Sequence, residues 1–267
     1  MALPMFDPTE APGPSFTEVL RRVGLDPFAP VLDAGASAAP FEIRHGTTIV
    51  ALRYADGVVM AGDRRATAGS SIAHRAMDKV HPADRHSGVA IAGAAGPAME
   101  MVKLFQLQLE HYEKVEGAAI SLEGKANQLS QMVRSNLAMA MQGFVVVPLF
   151  AGFDLRRSMG RIYSYDATGG RYEETDFHAD GSGGRDARTT VKLGWRPELS
   201  RDEAVELAVR ALWNAADEDS ATGGPDSVRG IYPTVATITQ TGFGYLETEE
   251  VAERFAAVVA AGEALQS

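Results

Sequence analysis

The chain has 267 residues, 45% hydrophobic and 22% charged, the ordinary balance of a globular protein with a substantial core. A net charge of −10 without a basic patch argues against a nucleic-acid partner, and no stretch approaches the roughly 18 uninterrupted apolar residues that a membrane span needs. With no cysteine there is no disulfide framework, thiolate metal site or cysteine nucleophile, which fits a cytoplasmic protein.

The leader differs from the rest. Its start lacks a basic region and a sustained apolar run and is broken by Pro4, Pro8, Pro12 and Pro14, so it does not read as a secretory signal. Ser15 and Glu18 form a capping-box pattern ahead of a short helix to Val23, with Gly24 as its stop. A loose Ala/Pro/Gly stretch follows to Pro40. Two readings fit this segment: a disordered tail, or a pro-segment that covers something until it is removed.

From Thr47 the pattern becomes regular. Residues 48–54 and 58–61 are β-rich runs joined through Asp56-Gly57, a hairpin signal because both positions tolerate positive φ. Residues 63–67 leave the second strand as a polar loop, and residues 88–92 form another strand. Two long helices follow. One buries Ala98, Val102, Phe105, Leu109 and Tyr112; the other starts at the N-cap Ser121 and buries Leu122, Ala126, Leu129 and Val133. Met132, Met139 and Met141 suit core gaps or a partner surface. Strands return at 148–153, 161–165 and 171–173, then a helix at 185–193. Ser200 and Glu203 box the start of a helix with Val205, Ala208, Leu212 and Ala216 inward. Strands at 232–239 and 242–246 and a helix at 249–261 complete the chain. Strands, helices, strands, helices imply an α+β protein with two antiparallel sheets packed face to face and helices outside.

Familiar catalytic patterns are missing. The six histidines (45, 74, 81, 86, 111 and 178) lack the His-x-x-x-His spacing with an intervening Glu, so no metal is expected. No Gly-x-Ser-x-Gly elbow occurs. Gly181-Ser182-Gly183-Gly184 lacks the ending of a phosphate cradle and reads as a turn leading into a helix. The Gly46–Thr47 bond offers a different chemistry. A threonine hydroxyl needs a base, and cutting before Thr47 would give it its own α-amino group, with a pKa of about 8, near operating pH. Gly46, without a side chain, lets the hydroxyl approach the bond to be cut. Gly before a strand is also a common turn.

Gly46-Thr47-Thr48-Ile49-Val50-Ala51 and the run from Asp56-Gly57 through Gly62-Asp63-Arg64-Arg65-Ala66-Thr67 resemble a proteasome β subunit. Lys79, Gly93 and Asp219-Ser220-Ala221-Thr222-Gly223-Gly224 extend the resemblance in the family's order across residues 47–249, most closely in its actinobacterial branch. The resemblance implies a four-layer αββα sandwich of the N-terminal-nucleophile hydrolase type. It divides the chain into a propeptide, 1–46, and a catalytic domain, 47–267, with a C-terminal helix and tail from about 250.

It further implies that Thr47 is the nucleophile of a threonine endopeptidase, with Lys79 polarising it and Asp63 orienting Lys79. Gly93 supplies the oxyanion donor, and Ser182, Asp219 and Thr222 support the amine, Thr222 standing where serine is commoner. Ala66, Met77, Ile91, Ala95 and Met99 would line an apolar pocket that prefers a large apolar residue before the cut bond, and Thr67 would hold substrate as an added strand. Taken singly, Asp63 could cap the hairpin exit, Lys79 could be a surface charge, and Asp219 and Thr222 could form a turn.

The resemblance implies no cofactor. The expected partners are a homo-heptameric β ring stacked on a second, proteasome α subunits, a ring-shaped ATPase unfoldase acting through the α rings, and unfolded protein substrates. Three rivals remain at this stage. The simpler ATP-dependent peptidase HslV shares the Thr-Thr start but usually continues Gly-Asp-Gly-Gln where this chain has Gly62-Asp63-Arg64-Arg65. The others are a catalytically silent ring-forming subunit and a small-molecule amidase.

Overall fold

The computed structural model describes residues 46–266, with side chains to residue 260. The leader before Gly46, with its expected Ser15–Val23 helix, lies outside the described residues. Strands β1 (Thr48–Tyr54) and β2 (Gly57–Gly62) form the expected hairpin around a different turn. Tyr54 pairs with Gly57, so Ala55 and Asp56 make the turn, and neither has a positive φ. Gly57 is required by close approach instead: a Cβ there would lie 2.1 Å from the Ile238 carbonyl oxygen.

Next come β3 (Ala66–Ala68), β4 (Ser71–His74), β5 (Val80–Asp84) and β6 (Ser87–Gly93), then helices α1 (Ala95–Glu116), α2 (Leu122–Ser135) and the short α3 (Leu137–Ala140). Strands β7 (Val146–Asp154), β8 (Met159–Tyr165), β9 (Arg171–Glu174) and β10 (Phe177–Gly181) follow, then α4 (Gly184–Gly194), α5 (Arg201–Glu218), β11 (Thr234–Thr239), β12 (Gly242–Tyr245) and α6 (Thr248–Gln266).

One five-stranded sheet runs β10-β1-β2-β11-β12 and the other β5-β6-β7-β8-β9, with every pairing antiparallel. The period of two sorts the strand residues into layers. In β1, Ile49 and Ala51 meet Leu149, Ile162 and Ile238 between the sheets, while Val50 and Leu52 point outward beneath Val205, Leu212 and Val191 of α4 and α5. In β6, Ala90 and Ala92 face inward and Val89 and Ile91 face Phe105 and Leu129 of α1 and α2. Phe105 meets Phe150 edge-on, ring centroids 5.8 Å apart. The layers are therefore helix, sheet, sheet, helix, as expected.

The differences have local causes. The polar loop expected over 63–67 ends early, because Ala66 already pairs in the β3–β4 hairpin. Strand β5 carries His81, Pro82 and Asp84, a poor strand composition; it is tolerated at a sheet edge, with a bulge between Pro82 and Asp84. Tyr112 is 41% exposed because the buried stripe of α1 stops at Leu109. In α5 the buried stripe steps from Leu212 to Ala215, leaving Ala216 half-buried. Met132 packs against the helix–sheet core, whereas Met141 is 82% exposed. The capping box at Ser200 and Glu203 and the Ser121 cap both form. Among the described residues, no helix is long and apolar enough to cross a membrane.

Candidate active site

The end of β2 delivers Asp63 into the interior with no solvent exposure. Its Oδ1 accepts hydrogen bonds from Thr48 N–H at 2.8 Å and Lys79 Nζ at 2.6 Å. Its Oδ2 accepts from Arg65 N–H and Gly223 N–H, each at 2.9 Å. Four donors converge on one buried carboxylate, which keeps an ionised oxygen pair tolerable away from water. Asp63 thus both caps the hairpin exit and pairs with Lys79.

Lys79 lies just ahead of β5 and is fixed by its own carbonyl, which accepts from Ile91 N–H at 2.9 Å. It is no surface charge, being 2% exposed. Its Nζ has three acceptors for the three hydrogens of an ammonium: Asp63 Oδ1 at 2.6 Å, Arg65 O at 2.6 Å and Gly46 O at 3.2 Å. Burial pushes the Lys79 ammonium below its ordinary pKa, and the Asp63 carboxylate opposes that shift.

Thr47 sits immediately before β1, and its nitrogen is the amide of the Gly46–Thr47 peptide bond. Thr47 Oγ1 donates to Gly46 O at 2.7 Å. Thr47 N–H donates to Ser182 Oγ at 3.2 Å. Gly46 fits for a reason beyond the freedom of its neighbour: a Cβ there would lie 2.2 Å from both the Cβ and the carbonyl oxygen of Ala221.

Ser182 occupies the turn from β10 into α4, the expected helix-leading turn, and lies beside Thr47 N. Gly181 enters that turn at φ +97°, and a Cβ on it would lie 2.0 Å from Thr47 O. Asp219 caps the end of α5. Its Oδ2 accepts from the Ser182 hydroxyl and, at 2.6 Å, from Thr222 Oγ1, while its Oδ1 accepts from Ala221 N–H at 3.1 Å. Burial alone would raise the Asp219 carboxyl; the hydrogen bonds from Ser182, Thr222 and Ala221, with the Lys79 charge, outweigh it and hold it below the usual carboxylate range. The methyl that Thr222 adds relative to serine does not cost the hydroxyl its contact.

A small recess opens beside Thr47. Ala66, Thr67, Met77, Ile91 and Ala95 line it, together with Gly46, Lys79, Gly93 and Ala98. Met99 is not among them and packs against the core beneath α1; Ala98, one position earlier and three after Ala95, faces the recess instead. Thr67 Oγ1 accepts from Gly46 N–H at 3.0 Å, a contact to the backbone ahead of the bond. Gly93 has φ +109°, and a Cβ there would lie 2.0 Å from Val145 O, so only glycine fits this wall.

Two participants escape a reading of side-chain types. Arg65 contributes its carbonyl oxygen, which no sequence pattern announces. Thr48, a plain strand-opening residue by sequence, is fully buried with its Oγ1 2.6 Å from Thr222 Oγ1. Among the described residues, no group of three or more His, Asp or Glu could hold a metal ion. The assembled site therefore offers a buried hydroxyl beside a carbonyl, a fixed cation at that carbonyl oxygen, and a hydroxyl-carboxylate cluster at the neighbouring nitrogen.

The sequence pattern of the family described as "Proteasome subunit" matches residues 43–229. The chain is 60% identical over 253 residues to the proteasome subunit beta of Acidimicrobium ferrooxidans, covering 95% of this chain and 92% of that relative. It is 60% identical over 219 residues to the proteasome subunit beta of Streptomyces griseus subsp. griseus, covering 82% and 76%. To that of Jonesia denitrificans it is 51% identical over 247 residues, covering 91% and 80%. Matched along most of its length by the family and by these relatives, the chain belongs to the proteasome subunit family, as a β subunit of the actinobacterial type.

Proposed function

We propose that this core-particle peptidase subunit is a threonine endopeptidase made as a precursor and activated by its own cleavage at Gly46–Thr47. The observation that carries the reading is the meeting of three groups at one carbonyl: Thr47 Oγ1 2.7 Å and Lys79 Nζ 3.2 Å from Gly46 O, with Lys79 locked on Asp63. In the precursor, Thr47 Oγ attacks the Gly46 carbonyl carbon and the C–N bond breaks. This leaves an ester on Thr47 Oγ and a free Thr47 amine. Water then hydrolyses the ester, releasing residues 1–46 as a propeptide with a Gly46 carboxylate.

In the mature enzyme the Thr47 amine takes the Oγ proton, through water, as Oγ attacks a substrate carbonyl. The Lys79 charge keeps that amine's pKa down by like-charge repulsion, and Gly93 N–H serves the oxyanion, a donor role whose removal typically costs about 2.7–4 kcal/mol. The substrate amine departs, and water cleaves the acyl ester. The apolar lining of the recess, Ala66, Met77, Ile91, Ala95 and Ala98, supports an apolar residue before the cut bond, a large one by the family resemblance, and the Thr67 contact to Gly46 N–H supports a role for β3 in holding substrate backbone.

The core particle contains α subunits. We extend the reading to a cytoplasmic assembly of two stacked heptameric β rings fed with unfolded protein by an ATPase ring through the α rings. The test is intact mass and N-terminal sequencing of the chain co-expressed with an α subunit, wild type against Thr47→Ala, with peptidase assays of both. A new Thr47 terminus and activity in wild type alone are expected. A wild type that keeps its leader and cleaves no peptide would make the chain a silent ring-forming subunit. Loss of the leader at Gly46 in the alanine variant, in a protease-free host, would refute self-cleavage.

A further inference from the structure

Thr48 follows the nucleophile in the chain and is fully buried, yet nothing in the proposed chemistry uses its hydroxyl. Counting protons fixes what that hydroxyl does. A carboxylate only accepts, so the hydrogens of Ser182 and Thr222 both point to Asp219 Oδ2. Thr222 has then spent its single hydrogen, and its 2.6 Å contact with Thr48 Oγ1 must carry the hydrogen of Thr48. Ser182 has two acceptors for its own hydrogen, Asp219 Oδ2 and, farther off at 3.2 Å, Thr47 O; directed to the nearer carboxylate it accepts at Thr47 N. The chain of bonds runs in one direction, from Thr48 to Thr222 to Asp219, with Ser182 feeding the same oxygen from the other side.

The Thr48 side chain also lies under the turn that carries Ser182. A Cβ added to Gly183 would lie 2.5 Å from Thr48 Oγ1 and 2.9 Å from Thr222 Oγ1. Its main chain is tied to the other half of the site: Thr48 N–H donates to Asp63 Oδ1 at 2.8 Å, and Thr48 O accepts from Asp63 N–H at 3.0 Å. One residue thus joins the Asp63–Lys79 pair to the Ser182–Asp219–Thr222 cluster, directly beside Thr47.

We propose that Thr48 is a positioning residue for the Thr47 nucleophile, its hydroxyl holding Thr222, and through it Asp219 and Ser182, where Ser182 presents a lone pair to Thr47 N. The proposal rests on the reading of Thr47 as nucleophile. A methyl cannot replace the hydroxyl unnoticed, because 2.6 Å is a hydrogen-bond distance and carbon needs about 3.5 Å. Thr48→Val therefore pushes Thr222 off Asp219, and Thr48→Ala leaves the buried Thr222 oxygen without its donor.

The test uses the full chain co-assembled with α subunits, with assembly checked by native mass, and measures kcat and KM on a fluorogenic peptide carrying an apolar residue before the leaving group. Thr48→Ser should stay within about twofold of wild type, while Thr48→Ala and Thr48→Val should lower kcat about three- to tenfold with KM held within about twofold. Should Thr48→Val fail to assemble, Thr48→Ala decides, since it removes atoms and adds none. Unchanged kcat in Thr48→Ala, an equal loss in Thr48→Ser, or a loss confined to KM would overturn the inference while leaving Thr47 as nucleophile. A wild type without Thr47-dependent hydrolysis would overturn both.

Discussion

Lys79 Nζ lies 2.6 Å from Asp63 Oδ1, and the pair is closed to solvent, the two side chains being 3% and 0% exposed. The partners are not equally supported. Asp63 keeps three backbone donors, from Thr48, Arg65 and Gly223, if the lysine is removed. Lys79 without Asp63 keeps only the carbonyls of Arg65 and Gly46. Asp63→Ala therefore strands a buried cation and should destabilise the fold by about 3–5 kcal/mol, whereas Lys79→Met should cost visibly less. Both should lower kcat at least about a hundredfold. Thermal unfolding and steady-state kinetics of the two variants check the asymmetry; equal losses of stability would contradict it.

Gly46→Ala tests the fit of the bond to be cut. The new Cβ would fall 2.2 Å from both the Cβ and the carbonyl oxygen of Ala221. We expect the precursor to persist, read by intact mass over time after co-expression with α subunits. Ala221→Gly in the same chain should not restore processing, because it removes the side-chain clash and leaves the backbone one. Restoration by that second change would show that the carbonyl oxygen does not matter.

Legibility followed the kind of group involved. The β-rich runs and the four-layer order were readable, but which residues of β1 face the other sheet was not, because Thr48–Tyr54 is buried on both faces and shows no apolar–polar alternation. Asp63, Lys79, Ser182 and Asp219 are brought together around Thr47, where the family resemblance expects them, and each was legible because its proposed part rests on a side chain of telling type. Edge strand β5 was hidden by Pro82, which only a sheet edge tolerates. The need for Gly57 is set by the Ile238 carbonyl of the adjacent strand, far along the chain, and not by the turn that its sequence neighbours suggest. The Arg65 carbonyl left no mark in the residue types. Ala98 did carry a signal, standing one helical turn from Ala95 on α1, but the buried stripe of that helix claimed it first.

The recess predicts where specificity is set. Ala95 borders it and Met99 does not. Ala95→Leu should fill part of the space and lower kcat/KM for a peptide with Tyr before the cut by about tenfold relative to one with Ala there. Met99→Ala should change the ratio of the two rates by less than about twofold, although it removes packing beneath α1. The two peptides assayed side by side on each variant give the answer. A preference that moves with Met99 and not with Ala95 would relocate the pocket.

Asp219 gives the site an acid limit. Its carboxyl is held below the ordinary value of 3.8 in the folded chain, chiefly by Ser182 and Thr222 against the opposing effect of burial. A depressed native pKa stabilises the fold fully above the unfolded value, and that contribution disappears as pH falls through the native one. Wild type should therefore lose stability between about pH 5 and pH 3 more steeply than Asp219→Asn, in urea unfolding midpoints measured across that range. Other carboxylates titrate in both proteins, so the difference between the two curves isolates Asp219. Protonation would also remove the charge from the carboxyl that receives the Ser182 and Thr222 hydroxyls and make it a weaker acceptor. The hold on both hydroxyls slackens, and with it the orientation of Ser182 toward Thr47 N. Peptidase activity should consequently fall in acid before the fold does, and an activity that stays level until the fold's own transition would remove Asp219 from the support of Thr47.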